Sequence, residues 1–259
     1  MFYGKLLLSG ILTNQSGISI GQDKSHGISL AKKIVRHPIT SVPFIPASSF
    51  RGAIRRVLEK EAGKDCHHKT QNDSLDCSVC QIFGVSPNDF PYFMTMPGRL
   101  IIRDIFLTEE SKLFLKDKLR HSDLTELRFH RATDRITAQS SLYALEEIPA
   151  GCHFAFDSIF TIYEKKDINH FKAFLQSLVS LESSSIGANS SRGLGRILFG
   201  KWNLEESQMD SGLNLVWHSR KYYEKEESEK NIFYAQDKKN IQEILDNIEI
   251  IQKTISQGA

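Results

Sequence analysis

Apolar residues along this chain fall into two periods, and the switches between them predict its elements. Residues 3–13, with Leu6, Leu7 and Leu8 among them, read as a first strand that Asn14 and the Ser16-Gly17 pair bring to an end. Residues 99–107 are apolar at nearly every position, which predicts a central, fully covered strand. The turn Ile148-Pro149-Ala150-Gly151 leads into a strand over residues 152–163, where Phe154, Phe156 and Phe160 alternate toward one side. Helical spacing takes over elsewhere. Phe50, Ile54, Val57 and Leu58 make one stripe with Ala53 beside them, and Phe171, Phe174, Leu175 and Leu178 make another over residues 168–181. These aromatics belong to a core rather than to a cofactor box. Ile241, Leu245, Ile248, Ile251 and Ile255 predict a last amphipathic helix, docked on its own domain or on a neighbouring subunit. Residues 14–42 show little periodicity, and so long a connection inside a compact domain points to function.

Composition bounds this picture. The 259 residues are 40% hydrophobic and 25% charged, which suits one elaborated globular domain or two small ones. With 33 Lys+Arg against 31 Asp+Glu, any nucleic-acid role has to rest on local clustering. The run Leu6-Leu7-Leu8 is too short for a membrane span and no signal-peptide pattern accompanies it, so a cytoplasmic protein is expected. Cys66, Cys77 and Cys80 lie close together, with His67 and His68 beside the first. Three thiolates and one imidazole fit tetrahedral structural zinc, with either histidine as the fourth ligand; reduced cytosolic thiols are the alternative. Cys152 stands apart and reads as a core thiol.

Basic residues cluster in four places. Lys32, Lys33 and Arg36, with His37, make the end of the long connection basic, as an RNA contact or as a solvated loop rim. Pro43 and Pro46 hold Phe44 and Ile45 extended, after which Ser48 or Ser49 offers a cap to a helix carrying Arg51, Arg55 and Arg56. Helix dipole, free N–H groups and guanidinium forks together suit phosphate, although a solvated basic face has the same composition. Arg128, His130, Arg131 and Arg135 surround Phe129 in a segment too poor in apolar residues to be core, an exposed arm suited to a single-stranded backbone. Residues 186–196 are glycine-rich and free of acids, with Arg192 and Arg196; glycines allow close approach to a phosphate chain, but no Lys-Ser/Thr ending makes this a nucleotide loop.

Several segments stand in a familiar order: Ile45-Pro46-Ala47-Ser48-Ser49-Phe50-Arg51-Gly52, Ile82-Phe83-Gly84, Gly98-Arg99-Leu100-Ile101-Ile102-Arg103-Asp104, Asp134-Arg135-Ile136-Thr137-Ala138, Ile148-Pro149-Ala150-Gly151 and Ser191-Arg192-Gly193-Leu194-Gly195-Arg196. Over residues 1 to about 204 the chain resembles RAMP proteins, and among them the repeated backbone subunit of type III CRISPR effector complexes. The resemblance implies an α+β fold with a ferredoxin-like, RRM-like core, its antiparallel sheet backed by helices. It also implies an extended thumb hairpin at about residues 122–147 and a zinc-knuckle insertion at 64–84, leaving 205–259 as a polar segment and C-terminal helix. Implied partners are CRISPR guide RNA, target RNA, other effector subunits and copies of itself, with no membrane. Carried over by position, Ser48, Ser49, Arg51, Arg55 and Arg56 hold guide phosphates. Gly187, Ser190, Ser191, Arg192, Gly193 and Arg196 line the same groove, and Arg128, Arg131, Arg135 and Thr137 lie in the thumb.

One position departs from that pattern. Active family members cut target RNA with an aspartate a few residues before an apolar-apolar-basic-x-Pro run, here Ile34-Val35-Arg36-His37-Pro38, and Ala31 stands in its place. Attack by a ribose 2′-hydroxyl needs a base or a metal-holding carboxylate, and alanine offers neither. A guide-RNA-binding subunit that pairs guide with target without cutting is therefore expected. Asp23 and His26, in the same loop, are the candidates for a magnesium-dependent cutting version; a guide-processing ribonuclease with His26, His37 or His130 at the RNA is the third reading.

Overall fold

Leu6, Leu8 and Leu12 are buried on one side of an extended segment, and this alternation builds β1 (Gly4–Asn14). The computed structural model describes residues 2–21, 31–63, 77–85, 96–119, 123–203, 208–210, 213–219, 231–232 and 241–257. After β1 come β2 (Ala31–Lys32), β3 (Phe44–Ile45), α1 (Ala47–Glu61) and α2 (Ser78–Phe83). Then follow β4 (Leu100–Ile102), β5 (Ile105–Leu107), α3 (Glu109–Leu119), β6 (Glu126–Thr133), β7 (Ser140–Glu147) and β8 (His153–Ile162). Next are α4 (Asp167–Glu182), a 3-10 turn (Ser190–Arg192), β9 (Ile197–Phe199), β10 (Lys201–Asn203) and β11 (Gln208–Asp210). The chain closes with β12 (Leu213–Ser219), β13 (Asn231–Ile232), α5 (Ile241–Asp246) and α6 (Ile248–Gln257).

The main sheet is antiparallel, ordered β13-β12-β1-β8-β5-β3, with β4 also on β8 and β9 also on β1. Helices α1 and α4 supply the layer over its buried face. The Phe50 ring lies 5.6 Å from Phe156 and 6.3 Å from Phe199, and Phe160 lies 5.4 Å from Phe171. Cys152 is fully buried, and burial, with Glu126 adding to it, pushes its thiol up to about 12.

Three expectations change here. Residues 99–107 are not one covered strand: Arg103 and Asp104 split them into β4 and β5, and Ile101 and Phe106 face outward. The break has polar causes, since Arg103 Nη1 meets Asp157 Oδ2 at 3.0 Å and Asp104 Oδ1 accepts the Ala47 N–H at 2.8 Å. That second contact replaces the expected serine cap. Pro46 is the N-cap residue of α1 and no side chain of its own caps it, so Ser48 and Ser49 sit inside the first turn with a carboxylate already at the helix end. Finally, the sheet continues past residue 204. β12 pairs with β1 from Gly4↔Ser219 to Gly10↔Leu213, with Leu213, Leu215 and Trp217 buried. The tail helix breaks at Asn247, and Ile241, Ile244, Ile248, Ile251 and Ile255 enter the common core, so it docks on its own domain.

Candidate nucleic-acid interface

Residues 15–19, just after β1, form a spine that the glycine-rich loop follows by backbone hydrogen bonds. Ala188 N–H donates to Ser19 O at 2.7 Å, Gly195 N–H to Gly17 O at 2.9 Å and Gln15 N–H to Arg196 O at 2.9 Å. The Arg196 N–H also reaches Ser16 Oγ at 2.9 Å. Gly195 has φ +83°, and a Cβ there would overlap the Ile186 carbonyl, so the loop closes this tightly only with glycine. Between these anchors the 3-10 turn is bracketed by two left-handed residues, Asn189 (φ 57°) and Gly193 (φ 88°). Ser190, Ser191, Arg192 and Gly193 at its crest are exposed, as is Gly187 at its start.

Strands β6 and β7 make a regular hairpin, from Glu126↔Glu147 at its base to Thr133↔Ser140 near its tip. At the tip Asp134 Oδ1 accepts the N–H groups of Ile136 (2.8 Å) and Thr137 (2.9 Å), and these bonds, Thr137 first, hold its carboxyl below the ordinary range. The predicted exposed arm is thus β6 and the tip turn. Backbone pairing that periodicity does not register gives it order. β2 lies parallel to β7, pairing Ala31 with Ala144, which puts position 31 beside the hairpin.

Loop, hairpin and α1 meet at side chains. Arg192 Nη1 donates to the Tyr143 hydroxyl on β7, and Tyr143 stacks on its cross-strand neighbour His130 with ring centroids 5.3 Å apart and planes 19° apart. At the other end of the loop Arg56 Nη2 donates to Ser185 O at 3.3 Å.

The arginines divide by what holds them. Arg36 donates to Ser41 O, Asp123 O and Thr125 Oγ1, and pairs with Glu146 Oε1 at 2.5 Å. Arg51 donates to Leu100 O at 3.0 Å and to Phe83 O, with its guanidinium 5.1 Å over the Phe83 ring. Burial first, and then Arg55, lowers its pKa. Arg55 pairs with Glu59 at 2.8 Å, and Arg99 with the fully buried Asp167 at 2.7 Å. Arg128 lies 2.9 Å from Glu147 and 3.9 Å from Glu126. By contrast Arg56, Arg131, Arg135, Arg192 and Arg196 are exposed and have no carboxylate partner among the described residues. Lys33 is exposed; Lys32 is on β2. Arg36, Arg51, Arg55 and Arg128 are expected among the RNA contacts, yet Arg51 is turned onto backbone carbonyls and Arg36, Arg55 and Arg128 onto glutamates. Tyr143, which spacing does not single out, stands at the junction.

Two carboxylates close the hairpin base. Glu146 Oε2 accepts the Ile34 N–H at 2.9 Å and Oε1 the Thr125 hydroxyl at 2.9 Å. Burial opposes its charge, but Arg36, the Ile34 N–H and Thr125 together hold its pKa low. Glu147 is fully buried against Gly17, where a Cβ would come within 2.4 Å of its oxygen. Burial pushes it up to about 7, opposed by Arg128 and assisted by Glu126.

Of the expected zinc donors, Cys77 is the N-cap residue of α2 and Cys80 lies one turn on, half-buried and buried respectively. Cys66, His67 and His68 lie outside the described residues, as do Asp23 and His26. Among the described residues no three potential metal ligands gather.

Residues 25–198 match the model of the RAMP superfamily. The chain belongs to the RAMP superfamily. It is similar to two relatives named CRISPR system Cms endoribonuclease Csm3. That of Streptococcus thermophilus is 31% identical over 206 residues, 78% of this chain and 90% of the relative. That of Methanocaldococcus jannaschii is 29% identical over 238 residues, 88% and 87% of the two chains. A chain in the crystal structure of a Csm3-Csm4 subcomplex of the type III-A CRISPR-Cas interference complex superposes with a TM-score of 0.61 at 23% identity, covering 96% of this chain and 97% of that one. Among the described residues, the loop, the hairpin and α1 bring together exposed arginines that have no carboxylate partner. No helix among the described residues is long and apolar enough to cross a membrane.

Proposed function

We propose that this RAMP protein is a guide-RNA-binding backbone subunit of a type III CRISPR effector complex, pairing guide with target without cutting it. The observation that carries the proposal is the set of exposed arginines with no carboxylate partner among the described residues, Arg56, Arg131, Arg135, Arg192 and Arg196, on three elements that touch. A phosphate chain supplies the missing negative charge, and the exposed small residues of the 190–193 turn suit a backbone at close range. The relatives' name, a CRISPR endoribonuclease, supports RNA as a partner, and the reading takes that RNA as guide and target, with further effector subunits and copies of itself beside it. The strand order β9-β1-β8-β4/β5, with α1 after β1 and α4 after β8, supports a ferredoxin-like core, and β6–β7 is the candidate thumb. Cys77 and Cys80 at the start of α2 support a structural zinc completed by Cys66 and one of His67 or His68; metal analysis of purified protein should then give close to one zinc per chain.

The relatives' name favours a cutting subunit as the second reading. That reading needs magnesium and a carboxylate or base from Asp23 or His26, because position 31 is alanine. Guide processing by His130 is disfavoured, since its Nε2 is buried beneath the hairpin surface. The test is an assembled complex with end-labelled complementary RNA and magnesium. Tight guide-dependent binding with intact target is expected, unchanged in Asp23→Ala. Regularly spaced fragments that vanish in Asp23→Ala or His26→Ala would falsify the non-cutting reading.

A further inference from the structure

We propose that Tyr143 is a positioning residue that aims Arg192 at a backbone phosphate of the bound RNA. This rests on the RNA-binding reading above and names how one of its contacts is set. Arg192 is exposed at the end of the 3-10 turn, and its described partner is a neutral phenol rather than a carboxylate. The difference is functional in kind. A carboxylate would fix the guanidinium but cancel its charge and compete with phosphate, whereas a hydroxyl fixes it and leaves the charge intact. One N–H is used on Tyr143, and the remaining donors of the planar fork stay available for a bidentate phosphate contact.

Tyr143 is itself held. It pairs directly across the hairpin with His130, whose ring lies parallel to it at 5.3 Å. The turn that carries Arg192 is anchored on the far side by the backbone bonds to Ser19 and Gly17. The contact therefore joins two ordered elements, and a long, rotamer-rich side chain loses less freedom on binding when its head is already placed.

The test uses full-length protein and a fluorescein-labelled single-stranded RNA, with affinity read by anisotropy over a salt series. Arg192→Ala should weaken binding about ten-fold and lower the salt slope by about 0.7, the value for one phosphate contact on a single strand. Tyr143→Phe removes only the hydroxyl; it should weaken binding about three- to five-fold while leaving the salt slope and the melting temperature as they were. The double variant should bind no worse than Arg192→Ala alone. Arg192→Lys, which keeps the charge without the fork, should become insensitive to Tyr143→Phe. Wild-type affinity in Tyr143→Phe, or multiplicative losses in the double variant, overturns the positioning role while the RNA-binding reading stands. Wild-type affinity and slope in Arg192→Ala overturns the phosphate contact as well. Failure of the wild-type protein to bind overturns both.

Discussion

The base of the β6–β7 hairpin and its outer part are both rich in arginine, yet they treat charge in opposite ways. At the base, Arg36 meets Glu146, with Thr125, the Ile34 N–H and two carbonyls completing that pair, and Arg128 meets Glu147. Toward the tip, Arg131 donates to the Ser140 hydroxyl at 3.1 Å with no carboxylate partner among the described residues, and Arg135 stands exposed on the turn. The base uses arginine as a polar fastener between the chain before β3 and the start of β6. The outer part keeps arginine charged and available. Counting basic residues in the sequence cannot separate these uses; the carboxylates opposite them can.

Breaking the base should cost most. Arg36→Met strands the nearly buried Glu146 without its cation and should destabilise the protein by about 3 kcal/mol in chemical denaturation; a change below about 1 kcal/mol would show that the pair is not a fastener. Gly17→Ala comes next. Its new Cβ would collide with the Glu147 carboxyl, and a loss of roughly 1–3 kcal/mol is expected, seen as a lower melting temperature. The third effect depends on pH. Glu147 is raised from 4.5 to about 7, so between those values the folded state keeps a proton that the unfolded state has released. Stability should therefore fall as pH rises through that window and level off above it. Glu147→Gln should flatten the slope, and a variant with the wild-type profile would assign it to another group. The smallest effect on stability belongs to the outer part. Arg131→Ser with Arg135→Ser should move stability by less than about 0.5 kcal/mol while lowering the salt slope of RNA binding by about 1.4. A large loss of stability there would erase the contrast.

Strong periodicity made much of the fold legible in the sequence. β1, β8, α1 and α4 lie where alternation or helical spacing put them, because each buries one continuous apolar face. What escaped was decided by contacts between distant residues. Asp104 breaks a strand to cap α1, a choice visible only once residues 47 and 104 are neighbours. Leu213, Leu215 and Trp217 alternate, but the polar composition around them hid a strand of the main sheet. The candidate site divides in the same way. The acid-free glycine loop was readable as a backbone cradle from its composition. The turning of Arg51 onto the Phe83 and Leu100 carbonyls was not, since an arginine on a helix face looks the same whether it meets solvent or a packed neighbour. Tyr143 could have been found only from the hairpin register, which sets it opposite His130.

The pairing of β1 with β12 has a consequence for how the chain is made. Gly4 to Gly10 leave the ribosome some two hundred residues ahead of their partners, Ser219 back to Leu213. At synthesis rates of ~5–20 residues per second, one edge of β1 waits roughly 10–40 s for its neighbour. During that interval a strand carrying Leu6, Leu7 and Leu8 presents unpaired backbone groups to any other nascent chain. A nascent chain halted before Leu213 should therefore be held by chaperones or aggregate, and the sheet completes only after the hairpin and the glycine-rich loop have already emerged.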